Sequence, residues 1–241
     1  MTPDTADTPD AAEVERLRVA RERVLERIAR AAERAGRDAA DVTLVAVSKT
    51  VSVDRLRAAV AAGLDLLGEN RVQEAEAKAA VAGARWHLVG PLQSNKARRA
   101  LETFAVIETV GSVELASRLD ELVRSAGRPR FPVLLQVNVD RDPAKAGFRP
   151  DDLAAATESL DALVGLDFQG LMTVGRLVDD PESARPTFAA LRSLSARLEA
   201  RWPSLGPELS MGMTDDFEVA IEEGATIVRI GRAIFGDRRT T

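Results

Sequence analysis

The chain has 241 residues, 45% of them hydrophobic, and a formal net charge of −5. That length suits one large α/β barrel or two small domains, and the negative balance argues against nucleic acid or anionic membrane as a general partner. No cysteine and a single histidine, His87, exclude disulfides, thiolate chemistry and multi-histidine metal centres.

The first ten residues are acidic and rich in Thr and Pro, unlike a secretory signal. They read as a disordered tail (1–10) ahead of a single domain (11–241). Nothing approaches the apolar run needed to cross a bilayer, so the expected location is cytoplasmic. From Ala11 to about Gly36 an amphipathic helix is predicted, with Val14, Leu17, Val24, Leu25, Ile28 and Ala32 on roughly one face. Strands are then predicted at Thr43–Ser48, Asp65–Gly68, Trp86–Gly90, Val106–Val110, Val133–Asn138, Phe168–Thr173, Glu208–Met211 and Thr226–Ile230. Between them helices start near Val53, Val72, Ser94, Val113, Asp151, Pro181 and Thr214, and a short last one near Ala233.

Runs such as VTLVAVS, FPVLLQVNV and TIVRI are continuously apolar, the pattern of parallel strands covered on both faces. Eight βα units point to a single (β/α)8 TIM barrel with an additional N-terminal helix. An open doubly wound sheet is the alternative. It usually has fewer strands and a glycine-rich first turn, where this chain has Ser48-Lys49-Thr50.

In a barrel the residues just after each strand converge on one face. Here they are Lys49, Glu69, Asn70, His87, Pro91, Gln93, Asn138, Met172, Thr173, Ser210, Gly212, Arg229 and Gly231. The chain has only four lysines against 29 arginines, and no tyrosine to serve as acid or base. Lys49 follows directly on an apolar strand. Partial desolvation would lower its pKa and free the amine to attack a carbonyl. The plainer alternative is a lysine whose stem lines the barrel mouth while its head reaches water. The segments LSMGMTDDFEVAI and TIVRIGRAIFG have the shape of a phosphate site: Ser210 and Gly212 end strand seven, and Gly231 and Arg232 follow strand eight. His87, within a strand, reads as a hydrogen-bonded structural residue, and Gln93-Ser94-Asn95-Lys96 as an N-capped helix start.

Together these segments resemble the pyridoxal-phosphate homeostasis protein family, whose barrel is similar to the N-terminal domain of alanine racemase. The matching stretches are LVAVSKT, LGENRVQE, WHLVGPLQSNK, VLLQVNVD with AKAG, GLMTVG, LSMGM with DDFEVAI, and VRIGRAIFG, in register from Leu44 to Asp237. The resemblance implies pyridoxal 5'-phosphate as cofactor, held as a Schiff base on Lys49. It further implies that Asn70 lines the pocket near the ring and that Ser210 and Gly231 bind the phosphate, with the backbone at Met211 and Arg232 helping. Arg229 would face the pyridine nitrogen and keep it unprotonated, making the ring a poorer electron sink. Two positions depart from the family's habit: Arg232 stands where Ser or Thr is usual, and Arg71 where Tyr is common.

The reading that follows is a carrier of vitamin B6 with a small-molecule cofactor, PLP-dependent apoenzymes as transient recipients, and no catalytic residue of its own. A racemase-like enzyme is the alternative. Such racemases draw a second base from a tyrosine in an additional β domain, and this chain ends soon after strand eight without a tyrosine. A lysine-dependent aldolase fits the lysine but not the seven motifs. No helix face shows an extra apolar stripe, so a monomer is expected.

Overall fold

In the computed structural model, which describes residues 9–176 and 178–236, the chain enters through helix α1 (Ala11–Arg34). Most of the tail assigned to residues 1–10 lies outside the described residues. Asp10 caps the helix by accepting the Ala12 N–H at 3.0 Å, which satisfies one of the amides a helix start leaves open. Leu17, Val24, Ile28, Ala31 and Ala32 are buried, and Val14 and Leu25 are partly so, which is the predicted face.

The strands are β1 (Thr43–Val47), β2 (Leu66–Glu69), β3 (Arg85–Leu88), β4 (Val106–Val110), β5 (Phe131–Gln136), β6 (Leu166–Met172), β7 (Glu208–Ser210) and β8 (Ile227–Ile230). Each pairs in parallel with its neighbours in chain order, and β1 pairs β8 through Val45↔Arg229 and Ala46↔Ile230, so the sheet closes into a barrel. The outer layer is α2 (Val53–Ala61), α3 (Val72–Lys78), α4 (Ala97–Thr103), α5 (Val113–Ser125), α6 (Pro150–Asp161), α7 (Arg185–Glu199), α8 (Phe217–Glu222) and the short α9 (Arg232–Phe235). Helix α1 lies over the seam where the barrel closes. Arg27 pairs with Glu218 at 3.0 Å and Arg34 with Glu222 at 2.7 Å, and Arg37 donates to the carbonyls of Ile221 and Ala225. On the other side of the seam, Arg55 of α2 reaches Glu13 at 2.6 Å.

Three helix starts differ from the sequence expectation. Ser94–Lys96 and Pro181–Ala184 are 3-10 turns that precede α4 and α7, and no side chain caps the first of them, contrary to the reading of Gln93 to Lys96. The third shift is at Thr214. Asp216 accepts the Met213 N–H at 2.6 Å, folding Met213–Asp216 into a side-chain-closed turn, and α8 starts only at Phe217.

Among the described residues no helix is long and apolar enough to cross a membrane.

Candidate functional site

Side chains along a strand alternate between the two faces, so every second residue of each barrel strand points inward. Two hydrophobic clusters reveal the phase. Val45, Val106, Leu134, Met172 and Ile227 pack together with no helix residue among them, which places them inside the barrel. Ala46, Leu67, Leu88, Ile107, Leu135, Leu171, Leu209 and Val228 pack with the helices, in the layer outside it. By this alternation His87, Glu108, Ser210 and Arg229 are interior residues. All four are buried.

They form one hydrogen-bonded chain across the barrel. Arg229 donates from Nη1 to Ser210 Oγ at 2.6 Å and from Nη2 to the Thr173 carbonyl at 2.7 Å. Ser210 Oγ passes its hydrogen to Glu108 Oε2 at 2.5 Å, and the other carboxylate oxygen meets His87 Nδ1 at 2.7 Å. Strands β4 and β7 are not neighbours, so the Glu108–Ser210 bond spans the interior. Burial pushes the Glu108 carboxyl up. The His87 hydrogen bond, the Arg229 charge and the Ser210 hydroxyl outweigh that and hold it below the ordinary carboxylate range. Burial loosens the proton of Arg229, against the pull of Glu108 and Asp216, but a guanidinium starts so high that it stays charged. His87 is the hydrogen-bonded residue expected of it. Glu108 lies within β4 and not at a strand end, so a reading of strand ends does not reach it; its signal in the sequence is a carboxylate inside the buried run VIETV, which demands a polar partner.

Lys49 stands two residues beyond Val47, in the inward phase of β1, and is half-buried. The register Val47↔Gly68 brings it level with Asn70 at the end of β2. On the other flank lies Gly231 after β8, where a Cβ would stand 3.2 Å from the Val47 carbonyl. Asn70 is seated by its neighbour in β3's following turn: a Cβ on Gly90 would fall 2.3 Å from the Asn70 carbonyl oxygen, so only glycine fits. Lys49, Asn70 and Gly231 thus meet at one rim, with Arg229 of β8 two residues before Gly231.

The turn after β7 is locked to strand β8. Met211 N–H donates to the Ile227 carbonyl and Arg229 N–H to the Gly212 carbonyl, both at 3.1 Å. Gly212 has φ +89°, and a Cβ there would lie 2.6 Å from Ala220, so the loop presses directly on α8. The Met211 amide, expected to help with phosphate, thus has an acceptor in the sheet. The Ser210 hydrogen is likewise spent on Glu108, and must leave it before Ser210 can donate to an anion. The amides of Arg232 and Ala233 open α9 and have no helical acceptor, the usual condition for receiving an anion. The Arg232 side chain turns away along the rim and pairs with Asp215. Arg71 is exposed and lies 3.7 Å from Glu74. Asn138 is absorbed by its own loop, bonding the carbonyls of Asp142 and Lys145 and the Asp142 N–H.

A parallel barrel with a lysine after strand one and glycine turns after strands seven and eight defines a class. The "Alanine racemase, N-terminal domain" family matches residues 19–239. The chain belongs to the pyridoxal phosphate homeostasis protein family, within that broader group. It is 45% identical to the pyridoxal phosphate homeostasis protein of Pseudomonas aeruginosa over 90% of this chain and 93% of that one. The protein of the same name from Aquifex aeolicus is 40% identical, with 90% and 96% covered. Among solved structures it is similar to PipY of Synechococcus elongatus with PLP bound (TM-score 0.75, 42% identity, 81% of this chain and 93% of that one). Alanine racemase of Clostridium difficile shares the fold at TM-score 0.71 and 15% identity, over 94% of this chain and 58% of the racemase.

Proposed function

We propose that this chain binds pyridoxal 5'-phosphate as a Schiff base on Lys49 and serves vitamin B6 homeostasis as a carrier, not a catalyst. The observation that carries the reading is the meeting of Lys49, Asn70 and Gly231 at one rim of the barrel, with the charged Arg229 buried beside them. PipY of Synechococcus elongatus, 42% identical, is known with PLP bound, and the relatives named above carry the homeostasis name. A bound pyridoxal phosphate supplies an aldehyde for an amine and a ring that draws electrons. The protein's own groups have separate tasks. Lys49 offers the amine, and Asn70 flanks it. Ser210 and Gly231 would hold the phosphate, with the backbone at Met211 and the amides that open α9, at Arg232 and Ala233, helping. Arg229, its charge already matched by Glu108, presents a donor that does not give up its proton to the ring nitrogen.

A second base for racemisation is not supplied by any tyrosine, since the chain has none. Release to PLP-dependent apoenzymes is the transfer this reading implies. A cytoplasmic monomer is the form we propose; Val164, 63% exposed, is the large hydrophobic side chain that stands out on the described surface.

Purified protein should absorb at about 420 nm, as a protonated imine of this cofactor does. Borohydride should fix the label on Lys49 by peptide mass spectrometry, and Lys49→Ala should abolish the band. An unchanged spectrum in that variant refutes the assignment. Incubating the loaded protein with single-enantiomer amino acids separates carrier from enzyme: loss of optical activity well above that caused by free cofactor overturns the carrier reading.

A further inference from the structure

On the helix side of the sheet, directly behind the Lys49 turn, three polar residues are sealed together. Ser48 and Glu69 are 0% exposed and Lys78, in the last turn of α3, is 8% exposed. Lys78 Nζ donates to Glu69 Oε1 at 2.6 Å and to the Ser48 carbonyl at 2.9 Å. Ser48 Oγ donates to the same Glu69 oxygen at 2.8 Å, and Ser48 N–H to the Gly68 carbonyl at 2.9 Å. The Ser48 carbonyl also receives the Val51 N–H at 3.0 Å. Every polar group of Ser48, the residue that sets the direction of Lys49, is held.

Two features show that this arrangement is maintained against a cost. Glu69 Oε2 is buried with no hydrogen-bond partner. Buried ion pairs are often replaceable by apolar side chains with no loss of stability, so a pair with an orphaned oxygen is a poor device for stability alone. Thr50, on the far side of Lys49, has φ +66°. A β-branched residue takes that left-handed conformation only where its surroundings impose it. The chain is thus pinned before Lys49 and forced into a sharp turn after it. An apolar side chain from α3 could fill the space but could not grip a carbonyl.

We propose that Lys78 and Glu69 are positioning residues that aim Lys49 into the barrel by fixing both the carbonyl and the hydroxyl of Ser48. The inference rests on the reading of Lys49 as the cofactor's amine. It assigns buried Lys78 a task on the opposite face of the sheet from half-buried Lys49, acting on the backbone and never touching the ligand.

The test is a thermodynamic cycle. Lys78→Met alone leaves the Glu69 charge buried and unpaired, so the variant used is Glu69→Gln/Lys78→Met, which removes both charges and keeps an acceptor for Ser48. Dissociation constants for pyridoxal 5'-phosphate are measured in the unaltered protein, the double variant, Lys49→Ala, and the combination of all three, with thermal melts confirming that each is folded. With Lys49 present, the double substitution should weaken binding roughly tenfold and slow the rise of the absorbance band, as expected for a misaimed amine. In the Lys49→Ala background it should change affinity by less than about twofold, since nothing remains to be aimed. Equal losses in both backgrounds mean a merely structural role and overturn the inference, as does no loss with Lys49 present. A failure of the Lys49 reading itself is distinguishable, because Lys49→Ala would then keep the band, or the unaltered protein would show none.

Discussion

Removing the charge of Glu108 probes whether the barrel interior is held by one matched ion pair. Glu108→Gln is nearly isosteric, keeps an acceptor for the Ser210 hydroxyl, and lets His87 change tautomer to accept from the new amide. What is lost is the negative charge 3.9 Å from Arg229, itself only 4% exposed. An uncompensated buried charge of this kind costs about 3–5 kcal/mol. For a chain of this length each kcal/mol moves the melting point by about 2–4 °C, so the variant should melt roughly 6–20 °C below the unaltered protein. Equilibrium urea unfolding gives the free energy directly. Adding Arg229→Met should recover part of the loss, because the orphaned cation goes with it. A single-variant loss under about 1 kcal/mol, or a double variant as unstable as the two single losses added together, refutes the matched-pair account.

Gly90→Ala should destabilise the fold by about 3 kcal/mol, since the new methyl would collide with backbone, not with a movable side chain; a urea midpoint unchanged from the parent would contradict this. Glu13 is held at about 2 by its hydrogen bond to Arg16, against a smaller push from burial and with Arg55 adding to the effect. A depressed folded pKa gives stability that is present above the unfolded value and is lost as pH falls towards about 2. Glu13→Gln should therefore melt below the parent at pH 7 and level with it near pH 2. Glu69 and Asp216, both raised by burial, act in the opposite sense and are common to both proteins.

The barrel was legible because its strands announce themselves as short apolar runs separated by helical periodicity, and all eight appear where VTLVAVS, FPVLLQVNV and the others predict them. Helix starts were less legible. Asp216 closing on Met213 delays α8, and that contact depends on a turn geometry that the letters MTDDF do not impose. Lys49 and the glycine turns could be located because position after a strand determines which rim a residue joins. Glu108 and Lys78 could not, since their meaning depends on partners far away in the chain: Glu108 bonds a hydroxyl 102 positions on, and Lys78 a carbonyl 30 positions back. The spent amide of Met211 was equally invisible, because a backbone donor looks free in sequence until the sheet claims it.

Ser48 and Lys49, which directly follow β1, fall on opposite sides of a single sheet. A one-codon insertion or deletion between Thr43 and Lys49 would exchange them, sending the amine into a dry layer of helix side chains and a hydroxyl to the rim. Lengthening a surface loop by the same amount leaves both in place. Descendants of this gene can thus drift in length in the surface loops but not along strand positions such as these, where the reading frame of the pleat is itself inherited.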